Sequence, residues 1–412
     1  MDFDALAHTY QTPLYVYDLN KISSQFEAIK EAFRARKSLI CYALKANSNL
    51  SIVHHLANLG SGADCVSIGE VKRAIRAGIP KYKIIFSGVG KQDNEIIEAL
   101  KDDILFLNVE SEAELSHIES IAKQCHKVAR ISVRVNPNID AKTHPYISTG
   151  LHENKFGVDI EQAKSMYISA KKSPFLEPVG IHFHIGSQLI DLEPIKQSAY
   201  KIAQLAHSLI ALKIDLRFFD VGGGIGISYT GESTIKPYDY AQSILESLRG
   251  LDLTIICEPG RYLVGESGVL LTKVLYEKKN GEKRFVVIDA AMNDLIRPTL
   301  YHAMHCIRHF KSSSEESVCD VVGPICESGD YLAKNVLLPP MKSGDLLAFE
   351  NAGAYGYSMS SNYNTRPRVA EVAIQDKIPR LIKHRERFEE MIKDEEALLQ
   401  NYIHSESAAK DN

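Results

Sequence analysis

One short apolar run near the start of this chain sets a pattern that the chain then repeats: Ser38-Leu39-Ile40-Cys41-Tyr42-Ala43-Leu44-Lys45-Ala46-Asn47. Its apolar residues predict a buried strand, and Lys45 stands where that strand ends. A lysine in this place is more often a surface cation, so the segments that follow decide its meaning. If its stem packs against a barrel wall, burial should lower the pKa of the amine. Lys45 would then be a nucleophile toward carbonyl groups.

Seven further apolar runs follow at a regular spacing, separated by stretches with helical periodicity such as 112–123, 161–172, 194–212 and 238–248. Buried strands that alternate with helices are typical of a parallel sheet, and eight of them predict a closed (β/α)8 barrel. The chemistry of such a barrel lies at the carboxyl ends of its strands. The predicted strands cover residues 39–46, 62–66, 83–87, 104–109, 129–136, 179–185, 216–221 and 253–258.

The pattern changes after about residue 264. Residues 269–277 and 284–289 flank a Lys-Asn-Gly turn and predict a hairpin, and further strands are predicted at 318–322, 345–350 and 368–374. A strand at 14–17 is a candidate to join them. We therefore predict a barrel over residues 26–265 and an antiparallel β domain built from 1–25 and 266–412, with a charged helix at about 380–402.

The composition is that of an ordinary globular protein, with 45% hydrophobic and 24% charged residues. A net charge of -4, with both signs interspersed, argues against nucleic acid or an acidic membrane surface as a partner. No apolar run approaches the ~20 residues that cross a bilayer, and the start lacks the pattern of a signal peptide. Seven scattered cysteines without CxxC pairs indicate reduced thiols, so we expect a cytoplasmic protein.

Two histidines mark the end of the sixth predicted strand. Alternation places His182 and His184 on the same face, toward the inside of a barrel. They could bind a metal ion, but no third ligand lies nearby in sequence, so no metal site is predicted. An imidazole stacked on a ring, with Ser187 as a hydrogen-bond donor, is the preferred interpretation, and a core histidine is the plainer alternative. The stretch is His182-Phe183-His184-Ile185-Gly186-Ser187-Gln188.

Glycines and charged residues end the seventh and eighth strands, in Gly222-Gly223-Gly224 and in Cys257-Glu258-Pro259-Gly260-Arg261. Glycine N–H groups can approach an anion closely, and barrel enzymes often bind phosphate after these two strands. The βαβ context of a dinucleotide site is missing. Glu258 could hold an aromatic nitrogen protonated, and Arg261 could bind a phosphate or carboxylate. A tight turn and a structural Glu–Arg pair are the plainer alternatives.

Three clusters stand out in the second domain. Arg297 and Tyr301 could clamp a carboxylate. Cys326 and Glu327 lie on a turn bracketed by glycines, where the carboxylate disfavours a thiolate, so the thiol is a better proton donor than nucleophile. Tyr355 is flanked by glycines. Each cluster alone could be an ordinary loop, but three together indicate a site.

Together these segments resemble the fold-type III pyridoxal-phosphate decarboxylases, with every landmark in order from about residue 10 to residue 375. The resemblance implies a β domain like that of alanine racemase and pyridoxal 5′-phosphate as cofactor. Within the family it implies decarboxylation of meso-2,6-diaminopimelate to L-lysine and CO2. The matching segments are YALKAN (42–47), HIGSQ (184–188), GGG (222–224), EPGR (258–261), RPTLY (297–301), GPICESGD (323–330) and GAYGYSMSSNYNTRP (353–367).

The same resemblance implies how the cofactor would be held. Lys45 would form the covalent link to it, His184 would stack on its ring, and Glu258 would pair with its pyridine nitrogen. A protonated pyridine ring is an electron sink for the carbanion that remains when CO2 departs. The other implied contacts are Ser187 and Tyr355 near the phosphate, Gly222, Gly223, Gly224, Pro259, Gly260 and Arg261 around the cofactor, and Asp64 and Arg134 as supporting groups.

The implied substrate contacts come from both domains. Arg261 and Arg297 would hold the distal carboxylate and Glu327 the distal ammonium, with Tyr301 and Tyr355 beside them. Cys326 would return a proton to the α-carbon. In this family the cysteine and the glutamate reach the site from a second subunit, so the resemblance implies a homodimer with shared sites.

Several relatives share the barrel, and among them the basic amino acid and carboxynorspermidine decarboxylases stay open as alternatives. Ornithine and arginine decarboxylases lack a second carboxylate in their substrates, and in the eukaryotic ornithine enzymes aspartate typically stands where this chain has Glu327. Carboxynorspermidine decarboxylase usually departs from the EPGR and CESGD patterns. Alanine racemase uses arginine at the pyridine nitrogen, where this chain has Glu258. A single-barrel cofactor carrier lacks the β domain altogether.

Overall fold

The computed structural model describes residues 2–141, 149–150, 155–311 and 315–410. Its strands form a closed barrel of eight and a separate sheet of nine. Numbered along the chain, they are β1 Leu14–Asp18, β2 Ser38–Ala43, β3 Gly62–Cys65, β4 Ile84–Phe86, β5 Phe106–Val109, β6 Ala129–Arg134, β7 Leu176–His182, β8 Phe218–Asp220, β9 Thr254–Cys257, β10 Gly268–Asn280, β11 Lys283–Ile288, β12 Ile307–His309, β13 Ser317–Val322, β14 Tyr331–Leu338, β15 Leu346–Phe349, β16 Ala370–Gln375 and β17 Ile378–Lys383.

The helices begin where short polar side chains can cap them. Ser67, Ser111 and Asp159 each accept a hydrogen bond from a backbone N–H three residues further on. The helices are α1 Phe3–Tyr10, α2 Leu19–Ala32, α3 Leu50–Asn58, α4 Ile68–Arg76, α5 Asp93–Asp102, α6 Glu112–Gln124, α7 Ile160–Lys172, α8 Glu193–Ala211, α9 Pro237–Ser247, α10 Arg261–Val264, α11 Arg297–Tyr301 and α12 Phe388–Lys410.

Strands β2 to β9 form the barrel, each parallel to its neighbours, and β9 closes on β2. All eight predicted barrel strands are confirmed. Helices α3 to α9 connect consecutive strands, and α2, which precedes the barrel, packs between α9 and α3 in the eighth position. Residues of five barrel strands, β2, β4, β5, β7 and β9, form an apolar cluster of their own, as expected for the filled interior of a closed barrel. Its buried members are Cys41, Ile85, Phe106, Val179 and Ile256.

The second sheet has the order β14-β13-β11-β10-β1-β16-β17, and β15 pairs with both β10 and β12. The predicted β domain and the membership of β1 in it are confirmed. The sheet is mixed, however, and not wholly antiparallel: β1 runs parallel to β16, and β11 runs parallel to β13. Parallel pairing requires a long connection between the strands, and β1 and β16 are separated by the whole barrel.

The predicted start of the C-terminal helix at about residue 380 is wrong. Residues Ile378–Lys383 form β17, which pairs with β16, and α12 begins at Phe388. Asp376 and Lys377 both have positive φ, the geometry of a two-residue hairpin turn, although neither is a glycine. Among the described residues no helix is both long and apolar enough to cross a membrane.

Candidate active site

A cavity of about 180 Å³ opens at the carboxyl ends of the barrel strands. It is lined from the barrel loops and from two segments of the β domain, those that carry Tyr301 and Tyr355. Sequence analysis names all of its lining residues except Ala43 and Thr149. The lining residues are Ala43, Lys45, Thr149, His184, Ser187, Gly223, Gly224, Glu258, Gly260, Arg261, Tyr301 and Tyr355.

Lys45 lies in a single 3-10 turn, Leu44–Ala46, directly after β2. Its Nζ atom is 2.6 Å from Oδ2 of the buried Asp64, and its side chain remains 38% exposed. Burial alone would lower the pKa of Lys45, but the nearby Asp64, Tyr355 and Glu258 outweigh it and raise the pKa above the ordinary value. The predicted lowering of this pKa is therefore wrong, because a buried carboxylate faces the amine and holds it charged.

A buried cluster of one imidazole and two carboxyl groups adjoins the floor of the cavity. One imidazole nitrogen of His182 and one carboxyl oxygen each of Asp220 and Glu258 lie within 4.8 Å of one another, and His182 Nε2 is 3.4 Å from Glu258 Oε2. Burial and the charge of Glu258 raise the pKa of Asp220 well above its usual range. Burial would also raise the pKa of Glu258, but His182, Lys45 and the neighbouring Asp220 lower it to about 2. Asp220 therefore carries a proton and Glu258 the negative charge.

His184 follows β7 and lines the cavity as a neutral imidazole. Its Nδ1 atom accepts a hydrogen bond from the backbone N–H of Gly223, 3.2 Å away. Burial and the charges of Arg134 and Lys45 lower its pKa well below the ordinary value. A neutral flat ring in this place can stack on an aromatic ligand without adding a charge to the site.

The glycine run after β8 provides close packing. A Cβ atom on Gly223 would lie 2.1 Å from the carbonyl oxygen of Glu258, and Gly224 has a φ of +111°. The N–H of Gly222 donates to Asp220 Oδ1 at 2.9 Å, and that of Gly223 donates to His184. Two of the three backbone amides expected to bind an anion therefore donate to groups of the protein itself. The main contribution of the three glycines is that they have no side chains, which allows the close packing.

Replacement of Gly223 by alanine is expected to destabilise the protein by about 1–3 kcal/mol, because the new methyl group collides with the backbone of Glu258. Cofactor affinity should fall with it. Urea unfolding and cofactor titration measure the two effects. Gly90→Ala is the control, since a Cβ atom there meets nothing within 4 Å. Equal stability of the two variants would contradict this account.

Arg261 lies at the start of α10 and is 6% exposed. Its guanidinium donates to Tyr229 Oη at 2.5 Å and to Ser187 Oγ at 3.1 Å, and it packs over the ring of Tyr355, 4.8 Å from the ring centre. Its Nε atom has no hydrogen-bond partner among the described residues. The arginine is thus held at the cavity wall with part of its donor capacity unused.

Arg297 begins α11 and lies one layer behind the cavity wall. It is 6% exposed and is absent from the lining residues, whereas Tyr301 on the same helix is one of them. Its guanidinium packs on the ring of Tyr229, 4.5 Å from the centre, and hydrogen-bonds to His305 Nε2 at 2.9 Å. Tyr229 therefore lies between Arg261 and Arg297.

The loop that carries Tyr355 is docked directly on the turn of Lys45. The N–H of Tyr355 donates to Ala46 O at 2.9 Å, and Ser358 Oγ donates to the same carbonyl at 3.1 Å. Tyr355 adopts a φ of +57°, which is unusual for a residue other than glycine and turns its ring toward the cavity. The β domain thus fixes one side of the site.

Seven predicted site residues lie outside the cavity lining: Asp64, Arg134, Gly222, Pro259, Arg297, Cys326 and Glu327. Arg134 pairs with Glu110 at 3.2 Å and reaches the carbonyl of His184 at 3.4 Å, so it supports the loop of His184. Pro259 accepts a hydrogen bond from Ala43 and belongs to the barrel wall. Cys326 and Glu327 are exposed at the tip of a turn.

The turn of Cys326 is fixed by buried contacts at its base. Asp330 accepts hydrogen bonds from the backbone of Met292 and of Ile325, each at 2.7 Å. Asn364 Oδ1 accepts a hydrogen bond from the N–H of Cys326 at 3.0 Å. A well-anchored turn with an exposed thiol at its tip is suited to reach a site outside its own cavity.

Five residues that line or contact the site were not predicted from the sequence: Ala43, Thr149, Asp220, Tyr229 and His305. Asp220 directly precedes the glycine run, so its place at a strand end could have indicated it. Thr149 donates to His184 O at 2.9 Å, and Tyr229 and His305 contact the two arginines. No local sequence pattern marks these three residues, and the partners of Thr149 and Tyr229 lie more than 30 residues away in sequence.

Comparison with known proteins agrees with this geometry. The model of the pyridoxal-binding domain of pyridoxal-dependent decarboxylases matches residues 19–265. The chain is 63% identical over 392 residues to a diaminopimelate decarboxylase of Helicobacter pylori strain J99, which covers 95% of this chain and 97% of that one. It belongs to the diaminopimelate decarboxylase family. Members of this family are pyridoxal-phosphate-dependent carboxy-lyases, and this chain is one of them.

Further members of the diaminopimelate decarboxylase family match over nearly the whole chain. The enzyme of Campylobacter jejuni subsp. jejuni is 59% identical over 97% of this chain and 100% of its own length. A crystal structure of the Helicobacter pylori diaminopimelate decarboxylase complexed with L-lysine superimposes with a TM-score of 0.94. It is 62% identical and covers 96% of this chain and 100% of that one.

The residues of the cavity fit pyridoxal phosphate, the cofactor of the family. Lys45 offers an amine, and the anionic Glu258 is suited to a protonated ring nitrogen. Gly223 leaves a space that a Cβ atom would close, and Arg261 Nε is unpartnered. The lining thus offers both a carboxylate and basic groups, as a ligand with a cationic ring and anionic substituents requires.

Proposed function

We propose that the protein decarboxylates meso-2,6-diaminopimelate to L-lysine and CO2, with pyridoxal phosphate linked to Lys45. One observation carries this proposal: a lysine, an anionic glutamate and the buried Arg261 line a single cavity, and a second buried arginine, Arg297, lies behind its wall. The related Helicobacter pylori diaminopimelate decarboxylase is described in complex with L-lysine, which supports the same product.

At the cofactor end, the chain's own groups orient the reacting centre. When bound, pyridoxal phosphate supplies the electron sink for the pair of electrons released as the carboxyl group departs. Glu258 would hold a proton on the ring nitrogen of the bound cofactor, and His182 and the protonated Asp220 keep Glu258 anionic. His184, a neutral imidazole, would cover one face of the ring without adding charge. Ser187, Gly224 and Tyr355 would contact the phosphate.

At the substrate end, positive charge selects a ligand that carries a second carboxylate. Arg261 lines the cavity, and Arg297 adds a second cation behind Tyr229. We propose that they attract the distal carboxylate of the substrate, with Tyr301 and Tyr355 beside it. Ornithine, arginine and lysine lack a second carboxylate and would leave this charge unmatched, which is costly for a buried group.

The second subunit of a homodimer would complete the site. Cys326 and Glu327 are exposed and do not line the cavity of their own chain. We propose that they enter the partner's cavity, where Glu327 binds the distal ammonium group and Cys326 returns a proton to the α-carbon. Arg134 would support the cofactor indirectly, through the carbonyl of His184.

Two further proposals concern organisation and location. We propose that residues 26–265 form the cofactor-binding domain and that 1–25 and 266–412 form the β-rich domain, a division supported by the closed barrel and the separate sheet. We also propose a cytoplasmic location. All seven cysteines are free thiols, as expected in a reducing compartment.

The test is CO2 release by the purified protein with added pyridoxal phosphate, offered meso-diaminopimelate, ornithine, arginine and lysine in parallel. Lysine should form from meso-diaminopimelate, and the other three should react more slowly by about ten-thousandfold, because they leave a charged site unfilled. Protein treated to remove the cofactor is the control. Preferred turnover of ornithine or arginine would contradict the proposed substrate while leaving the cofactor chemistry in place.

A further inference from the structure

Arg261 and Arg297 are buried cations that no carboxylate of the described residues neutralises. Each is 6% exposed, and each has an Nε atom without a hydrogen-bond partner in the described part of the chain. Burial lowers the pKa of Arg297, and the like charge of Arg261 adds to this. Buried cations are normally paired with acids, so this pair represents a charge that the protein itself leaves unmatched.

The groups that do contact the arginines are all uncharged. Arg261 donates to the hydroxyl groups of Tyr229 and Ser187. Arg297 donates to His305 Nε2 and packs on the face of the Tyr229 ring. Tyr229 is 8% and His305 5% exposed, so water does not compete for their contacts to the two arginines.

The protonation of His305 follows from its two partners. Its Nδ1 atom lies 2.9 Å from the carbonyl oxygen of Glu350, which can only accept, so Nδ1 carries the proton. Its Nε2 atom faces Arg297, which can only donate, so Nε2 presents a lone pair. Burial and the charge of Arg297 lower the pKa of His305 to about 3. His305 is therefore a fixed neutral acceptor.

We propose that His305 and Tyr229 are positioning residues that hold Arg297 and Arg261 through uncharged acceptors, so that both positive charges remain available to the ligand's anionic groups. This rests on the proposed function, in which those groups include the carboxylate remote from the reacting carbon. A carboxylate in place of His305 would bind Arg297 equally well but would cancel its charge. The neutrality of His305 thus sets the preference for a carboxylate.

A matched pair of variants separates charge from shape. His305→Glu and His305→Gln have side chains of the same length, and both can accept a hydrogen bond from Arg297, but only glutamate is charged. The ligands are L-lysine and cadaverine, which differ by one carboxylate. Their dissociation constants are measured by calorimetry on the holoenzyme.

We expect His305→Glu to weaken L-lysine binding by about 30-fold or more and to leave cadaverine binding within about threefold. His305→Gln should keep L-lysine binding within about fivefold. In turnover of meso-diaminopimelate, His305→Glu should raise KM far more than it lowers kcat. His8→Glu, on the exposed face of α1, controls for added negative charge.

Thermal unfolding without substrate gives a second readout. Because glutamate would neutralise a buried cation, His305→Glu should unfold at a higher temperature than His305→Gln, although it binds L-lysine more weakly. A purely structural role for His305 predicts the reverse order. Tyr229→Phe removes only the hydroxyl that accepts from Arg261 and should weaken L-lysine binding by about tenfold, which keeps the proposal testable if a His305 variant fails to fold.

The outcomes separate this proposal from the proposed function. Equal L-lysine affinity of His305→Glu and His305→Gln would overturn the proposed role of a neutral His305. A parallel loss of cadaverine and L-lysine binding would do the same, and both outcomes leave the proposed function intact. A wild-type holoenzyme that binds cadaverine as tightly as L-lysine would overturn the carboxylate clamp and, with it, both proposals.

Discussion

Lys45→Ala is expected to abolish the visible absorbance of the bound cofactor and to lower turnover by at least about a thousandfold. Lys45 is the lysine among the residues that line the cavity, and its amine is held against Asp64 at 2.6 Å. Without it the cofactor has no covalent attachment to the barrel. Borohydride treatment of the wild-type holoenzyme should fix the cofactor on the peptide that contains Lys45, which mass spectrometry detects.

Lys45→Arg is the matched control for this prediction. Arginine keeps the charge opposite Asp64, so the buried carboxylates stay compensated and the fold should be retained, but its guanidinium does not replace a nucleophilic amine. We expect Lys45→Arg to match Lys45→Ala in activity and to unfold at a higher temperature. Visible cofactor absorbance that survives in both variants would refute the role of Lys45.

Cys326→Ala should retain the cofactor absorbance and lose turnover by about 100-fold or more, because the substitution removes the proposed proton donor and leaves the lining of the cofactor cavity unchanged. Cys326 is exposed and does not line the cavity of its own chain. A dimer that combines two different variant chains can therefore test whether the site is shared. In the proposed dimer with shared sites, one Lys45→Ala chain and one Cys326→Ala chain would form one site with both residues intact.

Co-expression of the two variants under different affinity tags tests this shared site. The purified heterodimer should recover about half of the wild-type activity per dimer, since one of its two sites is complete. Each variant alone should stay inactive. An inactive heterodimer would show that Cys326 serves its own chain, and full activity of Cys326→Ala alone would show that Cys326 has no role in turnover.

The barrel could be predicted because its signals are local. Buried parallel strands such as Thr254–Cys257 are continuous apolar runs, and the residues that follow them, such as Glu258 and Arg261, gather at one rim. Position in a strand-helix repeat therefore predicts position in space. For the same reason most cavity residues could be named from the sequence.

The features of the site that could not be predicted from the sequence depend on contacts between different segments of the chain. The raised pKa of Lys45 arises from Asp64 on the next strand, and the neutrality of His305 from Arg297 and the carbonyl of Glu350. The error at β17 has another origin: Leu381 and Ile382 fit a helical period, and the Asp376–Lys377 turn lacks the glycine that usually marks a hairpin.

The place of β1 has a consequence for how the protein is assembled during synthesis. This strand lies between β10 and β16, and Leu14 is paired with both Leu271 and Ala370. The barrel is therefore an insertion within the β domain, and its strands can close before the ribosome has made the rest of the chain. The sheet must wait with an uncovered edge until β16 emerges, so the last part of translation is when the nascent protein is most exposed to edge-to-edge association.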